Sequence, residues 1–309
     1  MPDSLLKVAM SLPDEPVYPG GPAPLDLTVT NASTQAVRVE LPFPNPLGIA
    51  VASANPAVAV PRPAPEQVVQ RTIPKTLAPG QSITQRHDLN RFLAIKSAGK
   101  APLTISVSIP VHRTPKDSAP ADEAPTAPSP PPPTTERFRT EASLTVTPVD
   151  QAKLTEQLRG RSARLALPDA TARLEAAEGL GFLESPQAVE YQARLLRAEG
   201  TGQMGVWALS RQKSPRAREL LVGALEHEDS MVVADALAAL DASGSPPPRS
   251  SVLGMLRSEN DNVRWHGLSW LAKRPQKDDL ASVEPLTKDR NDAVAKLAEK
   301  YVESLKSMK

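Results

Sequence analysis

The sequence predicts a multidomain chain of two fold classes, an antiparallel β-sandwich followed by an all-α solenoid of stacked helix pairs. Of its 34 prolines, 26 lie in residues 1–150 and 8 beyond, and a long helical array does not tolerate the first density. Apolar residues alternate with period two in the first half, while a 31-residue repeat marks the second half. We therefore place the domains at residues 1–149 and 150–309.

Short runs in the first half alternate apolar and other residues, as in a strand with one buried face. The apolar positions of these runs are Leu6, Val8, Met10, Leu12; Leu25, Leu27, Val29; Val37, Val39, Leu41; Leu103, Ile105, Val107, Ile109; and Phe138, Ala142, Leu144, Val146. Pro-Gly pairs at residues 19–20 and 79–80 supply turns between them. Strands of this length and spacing favour two antiparallel sheets packed face to face.

A proline-rich tract occupies residues 114–135. It contains eight prolines and no Val, Ile, Leu or aromatic residue, so it buries too little surface to offset the entropy of ordering. We expect it to be disordered. Because the alternating residues 137–147 need a sheet to pair with, we place the tract between the last two strands as a long hairpin loop.

Three segments of the first half carry a family resemblance. They are Tyr18-Pro19-Gly20, the strand Leu25 to Asn31 ending in Thr-Asn, and Leu77-Ala-Pro-Gly-Gln-Ser82. Together they resemble bacterial immunoglobulin-like modules over most of residues 1–149. The chain departs from such modules at Gly99-Lys-Ala-Pro-Leu103, where they often carry Gly-x-Tyr. The resemblance implies a module that adheres, spaces or positions.

The second half repeats itself with a shift of 31 residues, which aligns Leu225–Leu240 with Leu256–Leu271. In this register Leu237 aligns with Leu268, Val232 with Val263, and Asp229 with Asn260. Apolar residues three and four apart indicate helices, and helix pairs stack because one pair alone leaves an apolar face in water. We expect Leu237 and Leu268 to be core residues.

The repeat lacks the ankyrin and tetratricopeptide signatures. Its motif Asn260-Asp-Asn-Val263-Arg264 recurs in altered form at residues 228–233 and 290–294. This motif resembles the short bacterial HEAT repeat, in which an acidic or Asn turn precedes a helix that opens with Val-Arg. The resemblance implies about four helix pairs, with residues 151–166 covering the first pair.

The chemistry-bearing residues form no legible catalytic, cofactor or metal site. There is no cysteine, and the four histidines (His87, His112, His227, His266) are scattered without ligand spacing. Residues 200–205 read Gly-Thr-Gly-Gln-Met-Gly, which matches a dinucleotide fingerprint in letters only, since helical residues precede it. We interpret these glycines as a helix end and a turn.

Charge and hydropathy restrict the partners. Lys and Arg number 36 against 35 Asp and Glu, a balance that argues against nucleic acid as a partner. No apolar window approaches the length of a membrane span, and the N-terminus lacks a signal-peptide core, so we expect a cytoplasmic protein without membrane contact.

One surface feature stands apart from the repeat. Trp265 faces away from the apolar side of its predicted helix, and its counterpart 31 residues earlier is Ala234, so packing does not demand a tryptophan there. The candidate partner-binding residues are Trp207, Asp235, Arg264, Trp265 and His266. The alternative is that both tryptophans fill gaps between helices.

These observations predict a non-enzymatic protein-binding or scaffold protein with an unidentified protein partner and no cofactor. Two alternatives remain at this point. One is an accessory subunit of an enzyme, because short HEAT repeats also occur in bilin-lyase-like proteins. The other is an envelope adhesion or assembly protein.

Overall fold

The computed structural model describes residues 4–12, 14–42, 48–62, 72–113 and 133–308. Within these residues a β region comes first and a helical region follows, so the predicted β-plus-α order is confirmed. The chain divides into two compact units, Met1–Ser185 and Pro186–Lys309. No helix in the described part of the chain is long and apolar enough to cross a membrane.

In its described residues the first unit contains three antiparallel sheets. Its strands are β1 (Leu6–Ser11), β2 (Pro24–Asn31), β3 (Val37–Pro42), β4 (Ile49–Ser53), β5 (Ala59–Pro61), β6 (Thr72–Leu77), β7 (Ser82–Asp88), β8 (Leu93–Ile95), β9 (Gly99–Arg113) and β10 (Thr134–Val146). One sheet has the order β1-β2-β7, and a five-stranded sheet has the order β10-β9-β3-β6 with β4 also paired to β9. Strands β5 and β8 form the third sheet.

Strand β9 organises the five-stranded sheet because it is long enough to carry several partners. Along one edge it pairs with β10 from Gly99 to Val111, while β3 and β4 pair with different parts of it. The predicted pairing of the two strands that flank the proline-rich tract is therefore confirmed. Residues 114–132 of the tract, for which we predicted disorder, lie outside the described residues, and Thr134 and Thr135 already belong to β10.

The alternating apolar residues predicted for the strands form one buried cluster. It includes Leu27 of β2, from the three-stranded sheet, and Leu41 and Ile105 of β3 and β9, from the five-stranded sheet. Because both sheets contribute to a single cluster, the apolar faces of the strands stabilise this unit together rather than sheet by sheet.

Two helices, α1 (Gln151–Ala163) and α2 (Ala170–Gly181), belong to the first unit. The change from strand to helix falls where we placed the domain boundary, but the compact units divide later. Helices α1 and α2 stay with the β region because buried ion pairs attach them to it. Arg161 of α1 pairs with Asp88 of β7, and Glu178 of α2 pairs with Arg91. Burial raises the pKa of Glu178 to about 7 despite this pairing.

The second unit is helical. Its helices are α3 (Val189–Gln192), α4 (Gly202–Ser210), α5 (Pro215–Gly223), α6 (Ser230–Ala242), α7 (Arg249–Met255), α8 (Asp261–Ala272), α9 (Leu280–Val283) and α10 (Asp292–Ser307). They follow one another as four short-then-long pairs. The second helices of neighbouring pairs contact each other, α4 with α6, α6 with α8, and α8 with α10.

The 31-residue repeat corresponds to the buried faces of the second helices. Leu237 is 6% exposed and Leu268 is fully buried, so both predicted core positions are confirmed. The register also extends one pair further than the aligned segments. In each of α6, α8 and α10 the same three positions are buried: Val232, Val263, Val294; Ala236, Gly267, Ala298; and Leu240, Leu271, Val302.

Each of these helices begins with the same pair of caps. Asp229, Asn260 and Asn291 are N-caps whose side chains accept hydrogen bonds from amides of the first turn. The residue two positions earlier accepts a hydrogen bond from the N-cap amide in every case, over 3.0 Å at His227, 3.2 Å at Ser258 and 2.8 Å at Asp289. The residue type of this second cap changes from repeat to repeat while the hydrogen bond recurs. A comparison of the repeats in sequence therefore does not reveal it.

Small residues mark the close approach of the helices within a pair. Gly205 of α4 occupies the register position of Ala236, and a Cβ at Gly205 would lie 2.9 Å from the backbone nitrogen of Leu196. By contrast, a Cβ at Gly254 of α7 would meet no atom within 4 Å.

Gly205→Ala is expected to destabilise the chain by about 1–3 kcal/mol, because the backbone it meets must shift. The matched control Gly254→Ala is expected to stabilise by about 0.5–1 kcal/mol, because alanine reduces the entropy lost in a helix. Urea denaturation of both variants measures the two changes. Equal effects of the two substitutions would contradict the close approach at Gly205.

Candidate functional site

Helix α8 presents Trp265 on the side opposite its buried residues. The spacing of Val263, Gly267 and Leu271 along one face turns Trp265 outward, where its side chain is 41% exposed. Half-buried His266 lies edge-on to it, with ring centroids 5.2 Å apart. The predicted exposure of Trp265 is therefore confirmed, while its role in binding stays a prediction.

Arg264 does not belong to this surface, which corrects its inclusion among the candidate binding residues. Its side chain is 7% exposed and forms an ion pair with Asp289, also buried, through two hydrogen bonds of 2.7 Å. It further donates to the carbonyl oxygens of Ser258 and Glu259. Arg264 thus ties the turn before α8 to the turn before α10.

The remaining two candidates are half-buried on neighbouring helices. Asp235 of α6 accepts a hydrogen bond of 2.8 Å from Gln203 of α4. The guanidinium of Arg211 lies over the ring of Trp207, 4.8 Å from its centroid. Of the five candidates, only Trp265 and His266 line the groove described next, although Asp235 lies close enough to His266 to act on its pKa.

A groove of about 270 Å³ lies between α6 and α8, and we call it the Trp265 groove. Side chains of both helices line it, together with the residues that follow α8: Ala234, Leu237, Ala238, Asp241, Trp265, His266, Ser269, Trp270, Lys273 and Arg274. The small side chains Ala234 and Ala238 face Trp265 across it.

One end of the Trp265 groove holds a network of charged and aromatic side chains. Arg274 donates to both carboxylate oxygens of Asp241 at 2.7 Å, and the indole nitrogen of Trp270 donates to one of them at 3.3 Å. The guanidinium of Arg274 also lies over the Trp270 ring, 4.5 Å from its centroid. The carboxylate of Asp241 therefore already has a cationic partner within the chain.

Among the described residues, no carboxylate that lines the groove forms a hydrogen bond with His266. Burial lowers the pKa of His266 below its ordinary value, although Asp235 opposes the shift, so the imidazole is neutral at pH 7. In the described ranges no group of three or more His, Asp or Glu side chains could hold a metal ion. The groove therefore combines an exposed indole with the cationic side chains of Lys273 and Arg274.

A second charged cluster in this unit is buried and satisfied. Asp279 accepts hydrogen bonds from Arg249 and from the hydroxyl of Tyr301. Burial alone would raise the pKa of Asp279, but these hydrogen bonds outweigh it and hold the pKa below its ordinary value. This cluster joins helix pairs, because Arg249, Asp279 and Tyr301 belong to different helical segments.

Sequence reasoning missed Trp270, Asp241, Lys273 and Arg274. The available signal was the i, i+4 spacing of Trp270 and Arg274, which is suited to stacking a guanidinium on an indole. Trp270 is 8% exposed on the buried face of α8, and it also contributes to the lining of the groove.

The glycines of residues 200–205 behave as expected for a turn and a helix. Gly200 has a positive φ of 72°, and Gly202 begins α4. Helical turns precede them at Val189–Gln192 and Ala193–Leu196. The context of a dinucleotide-binding motif, a strand that leads into the glycines, is thus replaced by helix.

Comparison with known proteins leaves the family open. No family model and no curated protein match the chain. Among solved structures it is similar to Salmonella α2-macroglobulin reacted with methylamine, at 13% identity and a TM-score of 0.23, covering 97% of this chain and 26% of that one. It is also similar to native Escherichia coli α2-macroglobulin from domain MG7 to the C-terminus, at 11% identity and 0.25, covering 96% and 62%.

The chain therefore spans about a quarter of the length of the first of these structures. At such TM-scores the likeness supports neither a fold nor a function.

Proposed function

We propose that this chain is a non-enzymatic protein-binding or scaffold protein whose binding face is the Trp265 groove. The observation that carries the proposal is the exposed indole of Trp265 beside an apolar groove, at a position where the preceding repeat has Ala234. Packing does not require a tryptophan there. Tryptophan is among the residues that contribute most to protein interfaces.

In this proposal the first unit contains an immunoglobulin-like sandwich and the second is a HEAT-like solenoid. The sandwich is supported by the single buried cluster to which the two larger sheets contribute. The solenoid is supported by the successive contacts of α4, α6, α8 and α10 and by their recurring buried positions and caps. Both architectures commonly present surfaces to other proteins.

The open form of the groove favours protein binding over a role in chromophore chemistry. Pockets for cofactors and drug-sized ligands have volumes of about 300–1,000 Å³ and enclose most of the ligand. The Trp265 groove, at about 270 Å³, lies at the lower edge of this range and opens at the surface, so it would enclose little of such a ligand. It has room for one or two side chains of a partner.

Affinity capture from native lysate tests the proposal with wild type, Trp265→Ala and Leu167→Ala. Leu167 is a matched control because it is 42% exposed and lies in the other unit. We expect wild type and Leu167→Ala to retain the same partner, and Trp265→Ala to lose about 2 kcal/mol of binding free energy, as at an interface hot spot. Circular dichroism verifies that both variants fold. Identical capture by all three proteins would contradict the proposed face.

A further inference from the structure

We propose that the Trp265 groove binds an acidic polypeptide segment, which seats an apolar side chain against Trp265 and places a carboxylate beside Lys273. This inference rests on the proposed function and adds the chemistry of the partner. It follows from three properties of the groove: an apolar floor, a carboxylate that already has a cationic partner and an excess of positive charge at one end.

The floor of the groove accepts an apolar side chain. Leu237 and Trp270 are 6% and 8% exposed and contribute their remaining surface to the groove, and Ala234 and Ala238 add small apolar walls. An apolar side chain placed here would cover the indole of Trp265. Burying apolar surface contributes about 25 cal/mol per Å², so the indole gains most from being covered.

The charges at the end of the groove favour an anion. Asp241 is the only carboxylate among the residues that line the groove, and Arg274 and Trp270 already satisfy it. Lys273 is exposed and has no carboxylate partner in the described part of the chain.

With neutral His266, the groove therefore carries two cations and one anion. A carboxylate of the partner would balance the extra charge. A basic segment would instead meet Lys273 and Arg274 and be repelled, so the charge selects between partners as well as attracting one.

Fluorescence polarisation with the full chain and three labelled peptides tests this inference. The peptides share one leucine and one length, and differ in carrying glutamate, glutamine or lysine at their other positions. We expect the glutamate peptide to bind more tightly than the glutamine peptide, the lysine peptide not to bind, and added salt to weaken binding. Lys273→Glu should weaken glutamate-peptide binding by about tenfold or more and should permit the lysine peptide to bind.

Lys277→Glu is the matched control, since Lys277 is an exposed lysine of the same unit outside the groove lining, and it should leave binding nearly unchanged. If the glutamine peptide binds as tightly and only Trp265→Ala weakens it, the acidic preference is wrong while the binding face stands. If none of the peptides binds, the inference is overturned, and capture with Trp265→Ala decides the proposed function independently. Binding that is unaffected by either Trp265→Ala or Lys273→Glu would overturn the groove as the site.

Discussion

Leu268→Asp is expected to lower the free energy of unfolding by more than about 4 kcal/mol, enough to unfold much of the second unit at room temperature. Leu268 is fully buried in α8, within a cluster that spans the helix pairs of this unit. The substitution both removes buried apolar atoms and places an unpaired carboxylate among apolar neighbours.

Circular dichroism during urea denaturation measures this loss, and two controls separate its causes. Leu268→Ala removes the apolar atoms without adding a charge, and should cost about 2–5 kcal/mol. Asn262→Asp places the same carboxylate at an exposed position in the first turn of α8, where the helix dipole favours it, so we expect no loss. An unchanged unfolding midpoint for Leu268→Asp would show that this position is not core.

Arg264→Val is expected to destabilise the chain by about 3–5 kcal/mol, because it leaves the buried carboxylate of Asp289 without its partner. Val is the residue at the equivalent position of the preceding repeat, Val233, and Ser258 is the equivalent of Asp289. The double variant Arg264→Val/Asp289→Ser therefore restores the pair of side chains that the preceding repeat uses. We expect it to be more stable than either single variant.

The same pair predicts a dependence of stability on acid. Hydrogen bonds from Arg264 lower the pKa of Asp289 below its ordinary value, against the opposing effect of burial. The pair therefore contributes its full stability above the unfolded pKa of about 3.9, and loses it as the pH falls through the lower pKa of the folded state.

Urea denaturation of the wild type and the double variant at pH 7 and at about pH 2–3 tests this dependence. The lower pH lies below the unfolded pKa of about 3.9. The wild type should lose more stability than the double variant between these conditions. Two results would contradict the role assigned to the pair. One is a double variant in which the destabilising effects of the two single substitutions simply add. The other is an equal loss of stability in acid by the wild type and the double variant.

The parts of the fold that were predictable from sequence are those set by periodicity and local chemistry. Alternation identified the strands around Leu27 and Ile105, and the 31-residue register identified Leu237 and Leu268 as core. Pairing requirements alone placed the proline-rich tract between β9 and β10. Each of these signals is a regular spacing of residue types along the chain, which one sequence is enough to show.

What escaped prediction depends on pairs of residues that are distant in sequence. The burial of Arg264 could not be predicted because its partner, Asp289, lies 25 residues later, in the turn before the next long helix. In the same way, the pairing of Arg161 with Asp88 attaches α1 to the β region. The Trp265 groove could be predicted only in part, because Asp241 and Arg274 meet across two helices.

The doubled caps have a consequence for how this chain could grow. Since Asp229, Asn260 and Asn291 begin their helices in equivalent surroundings, residues 230–260 form a module that starts and ends at the same structural point. Inserting a second copy of that module would preserve each cap and each recurring buried position. Neighbouring modules would then pack through the same helix faces that are in contact now. The exposed side chains of the second helices can then diversify from copy to copy, as Ala234 and Trp265 already differ, without any change to the interior.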